Sequence, residues 1–148
     1  NGGTLDKYLG DGVMATFGTP ETRPGDAANA LKAATQLLEE NEAFNKAQAD
    51  LGLDPIQISV GVHFGPVILG DIGPSRRLEF AVVGDTVNVA SRLEAATRDL
   101  GCRCVVSEDL MRKAGYSDEA LQPDLAEFSE QQAIKLRGRK TSINVCTI

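Results

Sequence analysis

The apolar positions of this chain change period several times, and each change marks an element. In residues 7–18, KYLGDGVMATFG, two apolar runs flank Gly10-Asp11-Gly12. Asp-Gly between apolar runs predicts a hairpin, residues 5–9 against 13–17, because both central residues of a type I′ turn need φ > 0. The stretch TPETRPGD reads as a loop. Gly25-Asp26 offers an N-cap, and Ala27, Ala30, Leu31, Ala34, Leu37 and Leu38 mark one face of a long helix that ends before Gly52 and Pro55. Ile56, Ile58, Val60, Val62 and Phe64 then alternate with Gln57, Ser59, Gly61 and His63. That is a period-two strand with one buried face and His63 on the other, where a lone histidine reads as a structural hydrogen-bonding group. Gly65-Pro66 breaks the strand and residues 67–69 resume it. GDIGPSRR is a loop, and residues 80–83 form a short apolar strand. Residues 87–100 are helical, and Gly101 stops them as a left-handed cap. A strand over 102–106, a short helix around 108–114 and two late strands, 133–136 and 143–148, follow. Helices mixed with antiparallel hairpins make an α/β chain in the broad sense, an α+β sandwich.

Composition narrows this picture. The 148 residues suffice for one domain with a core, and 42% hydrophobic with 24% charged residues is ordinary for a soluble globular chain. No apolar run approaches the roughly 18 residues of a membrane span, and the N-terminus is no signal peptide. A net charge of −6 argues against a nucleic-acid partner. Nucleotide phosphates remain open to such a chain, through metal ions or a local cluster of Arg and Lys. Cys102, Cys104 and Cys146 lack framework spacing. With one histidine and no second Cys pair, reduced thiols of a cytoplasmic protein are the better reading than a metal half-site. The chain starts at Asn1 almost directly into a strand, which reads as a piece of something longer.

Three stretches carry candidate chemistry. Asp11 is either a hairpin corner or a carboxylate held out for a ligand. In residues 79–96, EFAVVGDTVNVASRLEAA, an apolar strand runs through Gly84-Asp85-Thr86 into a helix that Asp85 or Thr86 can cap. Asn88 and, four residues on, Arg92 share one helical face. A helix start bearing an amide and a guanidinium suits phosphate, because the dipole favours anions and Arg grips phosphate oxygens in pairs. A capped amphipathic helix with a solvated Arg is the equal alternative. In KLRGRKT, residues 135–141, four cations surround Gly138 in an otherwise acidic chain.

DKYLGDGVMATFG, VGVHFGPVILGDIG and RRLEFAVVGDTVNVASRLE together resemble the catalytic domain of class III nucleotidyl cyclases, the adenylyl and guanylyl cyclases. The resemblance runs from Lys7 to about Leu93 and more loosely to the end. It implies one cyclase domain over residues 1–148, a ferredoxin-like sheet with helices packed on one side, whose N-terminal strand and helices lie upstream of this chain. It implies a homodimer with shared active sites, ATP as substrate, two Mg²⁺ or Mn²⁺ per site, and a cytoplasmic domain whose parent protein could be membrane-attached. By the same resemblance Asp11 is a metal ligand, Lys7 reads adenine, Asn88 orients the ribose and Arg92 stabilises charge on the α-phosphate. Arg139 holds the terminal phosphates. Position 81, usually Asp, Thr or Ser beside the purine, is Ala81, which keeps a guanylyl or mixed-purine cyclase open as an alternative. The first metal-binding aspartate of the family would lie upstream, which leaves a non-catalytic nucleotide-binding or dimerisation module as the other alternative. The Gly-Gly-Asp/Glu-Glu-Phe turn of diguanylate cyclases is absent from the sequence.

Overall fold

The computed structural model describes residues 1–72, 79–116, 128–129, 131–139 and 141–148. Among them the chain runs β1 (Thr4–Leu9), β2 (Gly12–Thr16), α1 (Asp26–Asp50), β3 (Val60–Val62), β4 (Ile68–Ile72), β5 (Glu79–Val83), α2 (Asp85–Leu100), β6 (Cys104–Ser107), α3 (Glu108–Lys113), β7 (Gln132–Ile134) and β8 (Ile143–Thr147). The central sheet has the order β3-β6-β8-β7. β3 is parallel to β6, and the other pairs are antiparallel. Two separate hairpins, β1-β2 and β4-β5, stand outside it.

Alternation along β6 and β8 shows how the helices are placed. Cys104, Val106 and Cys146 join Ala27, Ala30, Leu31, Ala34 and Leu38 of α1 and Leu110 and Met111 of α3 in one core. Val105 and Val145 join Val89 and Leu93 of α2 in a second. The sheet is therefore covered on both faces, where a covering on one side was expected. The expected strand over 56–64 is corrected in the same way. Val60 and Val62 pack against the α1 core, while Gly61 lies directly beneath α2, where an added Cβ would meet the backbone at Ala90 O and Glu94 N. Both faces of β3 are used, and only glycine admits the helix so close.

That strand is also shorter than expected. Ile56 pairs with a side chain rather than a strand: its N–H donates to Asn45 Oδ1 at 2.8 Å, and its carbonyl accepts from Asn45 Nδ2 at 2.8 Å. The opening hairpin forms with a different turn. Leu9 stands opposite Gly12, so Gly10 and Asp11 are the central pair. Gly10 alone has positive φ, 66°, the type II′ pattern with Gly first. β4 extends through Ile72, into residues read as loop, with Gly70 opposite Ala81. The rest of that loop, residues 73–78, and Lys140 lie outside the described residues. Gly101 caps α2 in the left-handed region, as its position predicts.

Ser107, fully buried, caps α3 by accepting from Leu110 N at 3.3 Å. Its own proton needs an acceptor, and His63 Nδ1 lies 2.8 Å away. The hydrogen-bond network thus assigns the proton of the neutral ring to Nε2. Burial is the main cause that lowers the His63 pKa, and Arg139 adds to it, against the opposing pull of Asp109 and Asp85.

Two outcomes follow from this packing. Gly61→Ala should push α2 off β3 and cost about 1–3 kcal/mol, lowering Tm by several degrees in a thermal melt. His63 binds a proton less readily folded than unfolded, so its contribution to stability is complete above its ordinary pKa of 6.5 and declines as pH falls below it. Denaturant titrations at pH values falling below 6.5 should show a decline that His63→Gln makes shallower.

Candidate active site

The strand-to-helix junction at Gly84 sets the site's main surface. β5 delivers the chain to α2, whose opposite face is anchored by the fully buried Val89 and Leu93. Asp85, Asn88 and Arg92 recur at three and four residues and so form one stripe along the free face. Neither Asp85 nor Thr86 caps the helix, as the sequence had suggested. The cap residue is Gly84, with no side-chain bond. Thr86 Oγ1 donates instead to Pro66 O at 2.6 Å, tying the junction to the connection between β3 and β4. Asp85 Oδ2 instead pairs with Arg139 Nη1 at 3.1 Å.

That ion pair brings the basic turn onto α2. Arg139 N donates to Leu136 O at 3.1 Å, closing a turn through Gly138. Leu136 is buried against Val89 and Leu93 in the α2 core. Gly138 faces Arg92: a Cβ built there would stand 3.8 Å from Arg92 Nη2. Two residues singled out from distant parts of the sequence, Arg92 and Arg139, thus converge, with the exposed Asn88 on the same stripe. A second guanidinium beside the positive end of a helix makes this a surface for an anion. The sequence did not reveal Asp85 as the partner of Arg139, because its place at a helix start fits capping equally well.

Lys7, Asp11 and Ala81 lie elsewhere. Asp11 is exposed at the tip of the β1-β2 hairpin. Lys7 is on β1, its ammonium 3.4 Å from Asp6 Oδ2. Ala81 is buried in β5 and offers no side-chain hydrogen bond. Two cavities open near the junction. One of about 720 Å³ is lined by His63, Phe64, Asp85, Lys113 and Arg139 among others. The other, about 1020 Å³, lies between the base of the hairpin, α1, β3 and α2. Neither takes in Lys7, Asp11, Ala81, Asn88 or Arg92. Within one chain, then, Lys7 and Asp11 ride on the β1-β2 hairpin, Ala81 on β5, and Asn88 and Arg92 on α2.

Asp11 has a hard carboxylate oxygen of the kind a divalent ion such as Mg²⁺ or Mn²⁺ would take. Among the described residues no three His, Cys, Asp or Glu side chains gather as a metal cage. One carboxylate fits an ion that also takes phosphate oxygens from a bound nucleotide. A pair of ions needs further oxygen ligands. Among the described residues no helix is long and apolar enough to cross a membrane.

Known proteins resemble this arrangement along almost the whole chain. Adenylate cyclase 1 of Rhizobium meliloti is 32% identical over 143 residues, which are 97% of this chain and 20% of that protein. Adenylate cyclase of Anabaena cylindrica is 32% identical over 148 residues, 97% of this chain and 28% of that protein. The chain thus spans well under a third of these curated relatives. The crystal structure of the guanylyl cyclase Cya2 superposes with a TM-score of 0.79 at 25% identity, covering 99% of this chain and 69% of that one. The adenylyl cyclase CyaB from P. aeruginosa shares the fold, with a TM-score of 0.77 over 99% of this chain and 71% of that one at 24% identity. Residues 6–146 match the family model described as the adenylate and guanylate cyclase catalytic domain, and the chain belongs to that family.

Proposed function

We propose that this domain makes 3′,5′-cyclic AMP and pyrophosphate from ATP, as a homodimer in the cytoplasm. The observation that carries the reading is the convergence on one face of α2 of Asn88, Arg92 and the Asp85-tethered Arg139. A triphosphate on that face meets two guanidinium groups and the N-terminus of a 16-residue helix. Asn88 orients the ribose so that its 3′-oxygen lines up behind the α-phosphorus. The new oxygen–phosphorus bond forms as the bond to pyrophosphate breaks, and the 3′-hydroxyl proton leaves to solvent. Arg92 takes up charge developing on the α-phosphoryl oxygens. Arg139 exchanges its carboxylate partner for the terminal phosphates. His63 is not assigned as the base, because Ser107 already occupies its Nδ1. Two divalent ions, Mg²⁺ or Mn²⁺, with Asp11 as one ligand and a further carboxylate from an upstream segment, would lower the pKa of the 3′-hydroxyl and neutralise the leaving group when bound.

Lys7 favours adenine in this reading, and the two adenylate cyclases at 32% identity support it. Ala81 favours a second reading, a guanylyl or mixed-purine cyclase, since it removes one hydrogen-bonding group from the purine site. Cys102, Cys104 and Cys146 are thiols outside any disulfide, which suits a reducing compartment. Dimerisation has its own physical support. Isolated two-stranded sheets are marginal in water, yet both hairpins expose apolar side chains: Leu5, Tyr8, Leu9 and Val13 on one, Ile68 and Val83 on the other. A second copy that covers them would also bring Asp11 to the Lys7, Asn88 and Arg92 of its partner.

Incubation of the full-length protein with ATP or GTP and Mn²⁺, with chromatographic detection of product, should give mainly cyclic AMP. Ala at Asn88 or Arg92 should lower kcat about a hundredfold with little change in KM. A collapse in affinity with normal turnover at saturation would reduce both residues to binding groups. Asp11→Ala and Asn88→Ala homodimers should each be dead. After mixing, about half the dimers are heterodimers with one intact site, so activity should recover to roughly a quarter of wild type. No recovery despite confirmed exchange would place the whole site within one chain.

A further inference from the structure

Asp6 has no part in the site described above, yet its position is unusual. Leu5 stands opposite Ala15 and Lys7 opposite Met14, so Asp6 is an extra residue, a bulge in β1. In a regular strand Asp6 and Lys7 would point to opposite faces. The bulge re-aims them, and Lys7 Nζ lies 3.4 Å from Asp6 Oδ2. The carboxylate is withdrawn, its side chain 7% exposed, while the lysine keeps 40%. Asp6 Oδ2 is the one buried side-chain nitrogen or oxygen without a hydrogen bond among the described residues. Such an atom is costly to keep, and structure alone gives no return for it here. The hairpin's register is already set by its turn, and Asp6 joins neither apolar core.

We propose that Asp6 is a positioning residue for purine selection: it fixes the ammonium of Lys7, so that the domain accepts adenine and rejects guanine. The proposal rests on Lys7 as the base-reading residue of the proposed function. A lysine ammonium carries three N–H donors on a flexible four-carbon stem and has no preferred direction of its own. Ala81 cannot share in holding the base or the lysine. Adenine presents N1, an acceptor, beside its amino group. Guanine presents a donor, N1–H, at that place, with its acceptor O6 alongside. An ammonium held in place beside adenine N1 meets guanine donor against donor, whereas a free ammonium swings across to O6. Fixing the lysine therefore works chiefly against the wrong base. Asp6 does not touch the base itself, because its Oδ2 is buried. It acts through Lys7.

The test compares kcat/KM for ATP and GTP in the full-length protein with Mn²⁺, for Asp6→Asn, Asp6→Glu, Lys7→Ala and the Asp6→Asn/Lys7→Ala double variant. Asp6→Asn should lower the ATP-to-GTP ratio about tenfold, chiefly through a lower KM for GTP with kcat nearly unchanged, and should leave Tm unchanged or raised. Asp6→Glu, which keeps the charge, should recover part of the ratio; it also serves if Asp6→Asn fails to fold. The double variant should discriminate no worse than Lys7→Ala. If Asp6→Asn lowers ATP and GTP turnover by the same factor, or leaves the ratio unchanged while Lys7→Ala shifts it, the role of Asp6 is overturned and that of Lys7 stands. If Lys7→Ala itself leaves the ratio unchanged, the base-reading assignment falls, and this inference with it.

Discussion

The contact of α2 with β3 across Gly61 governs the rest of the molecule. The helix backbone rests where a side chain would otherwise be, and Val89 and Leu93 are fully buried on the sheet beside it. A helix seated so closely can neither rotate nor slide without clashing with backbone. Its outer stripe, Asp85, Asn88 and Arg92, is therefore fixed relative to the sheet. Leu136 packs into the same core, so the basic turn is laid on that stripe by apolar burial before any charge contributes. The hydrophobic term supplies the position, and the ion pair of Arg139 with Asp85 supplies the direction.

Two of the candidate site's cations are held by carboxylates: Arg139 by Asp85 and Lys7 by Asp6. The two pairs differ in kind. Asp85 is 67% exposed, so its hold on Arg139 is screened by water and readily exchanged for phosphate. Asp6 is nearly out of water, so its field on Lys7 is less screened and lasting. In the proposed reading, an exchangeable partner suits Arg139 as a phosphate-binding residue, and a lasting one suits Lys7 as the residue that reads the base.

The separation of the hairpins from the central sheet has a consequence of the same kind. Lys7 and Asp11 ride on a two-stranded unit whose apolar residues face water, while Asn88, Arg92 and Arg139 ride on the packed core. Burial of exposed Tyr8, Leu9 and Ile68 against a second copy would favour association, and in the proposed two-fold arrangement Asp11 of one copy would meet Lys7, Asn88 and Arg92 of the other.

Much of this was legible in the sequence for a physical reason: periodicity reports which side of an element is buried. The apolar stripe of α1, the face of α2 and the cap at Gly101 all emerged with nearly the observed bounds. Asp11, Asn88, Arg92 and the cations around Gly138 stood out in local patterns dense in Gly, Asp and Arg, whereas Lys7 and the role of each residue came from the resemblance to the cyclases. Other features depend on what packs from a distance, which no local pattern records. Gly61 looked like one of the polar-face residues of a strand, yet it is the seat of a helix. Residues 56–59 have strand alternation, but Ile56 bonds to Asn45 instead of a neighbouring strand. Asp85 could have been a cap or a counter-ion, and only the return of residues 136–139 decides between them. The bulge that turns Asp6 toward Lys7 is a mismatch between two strands, a property of the pair that neither strand's sequence contains. The sequence by itself determined which residues could do chemistry. The tertiary structure decided which of them meet, because meeting depends on contacts between segments far apart in the chain.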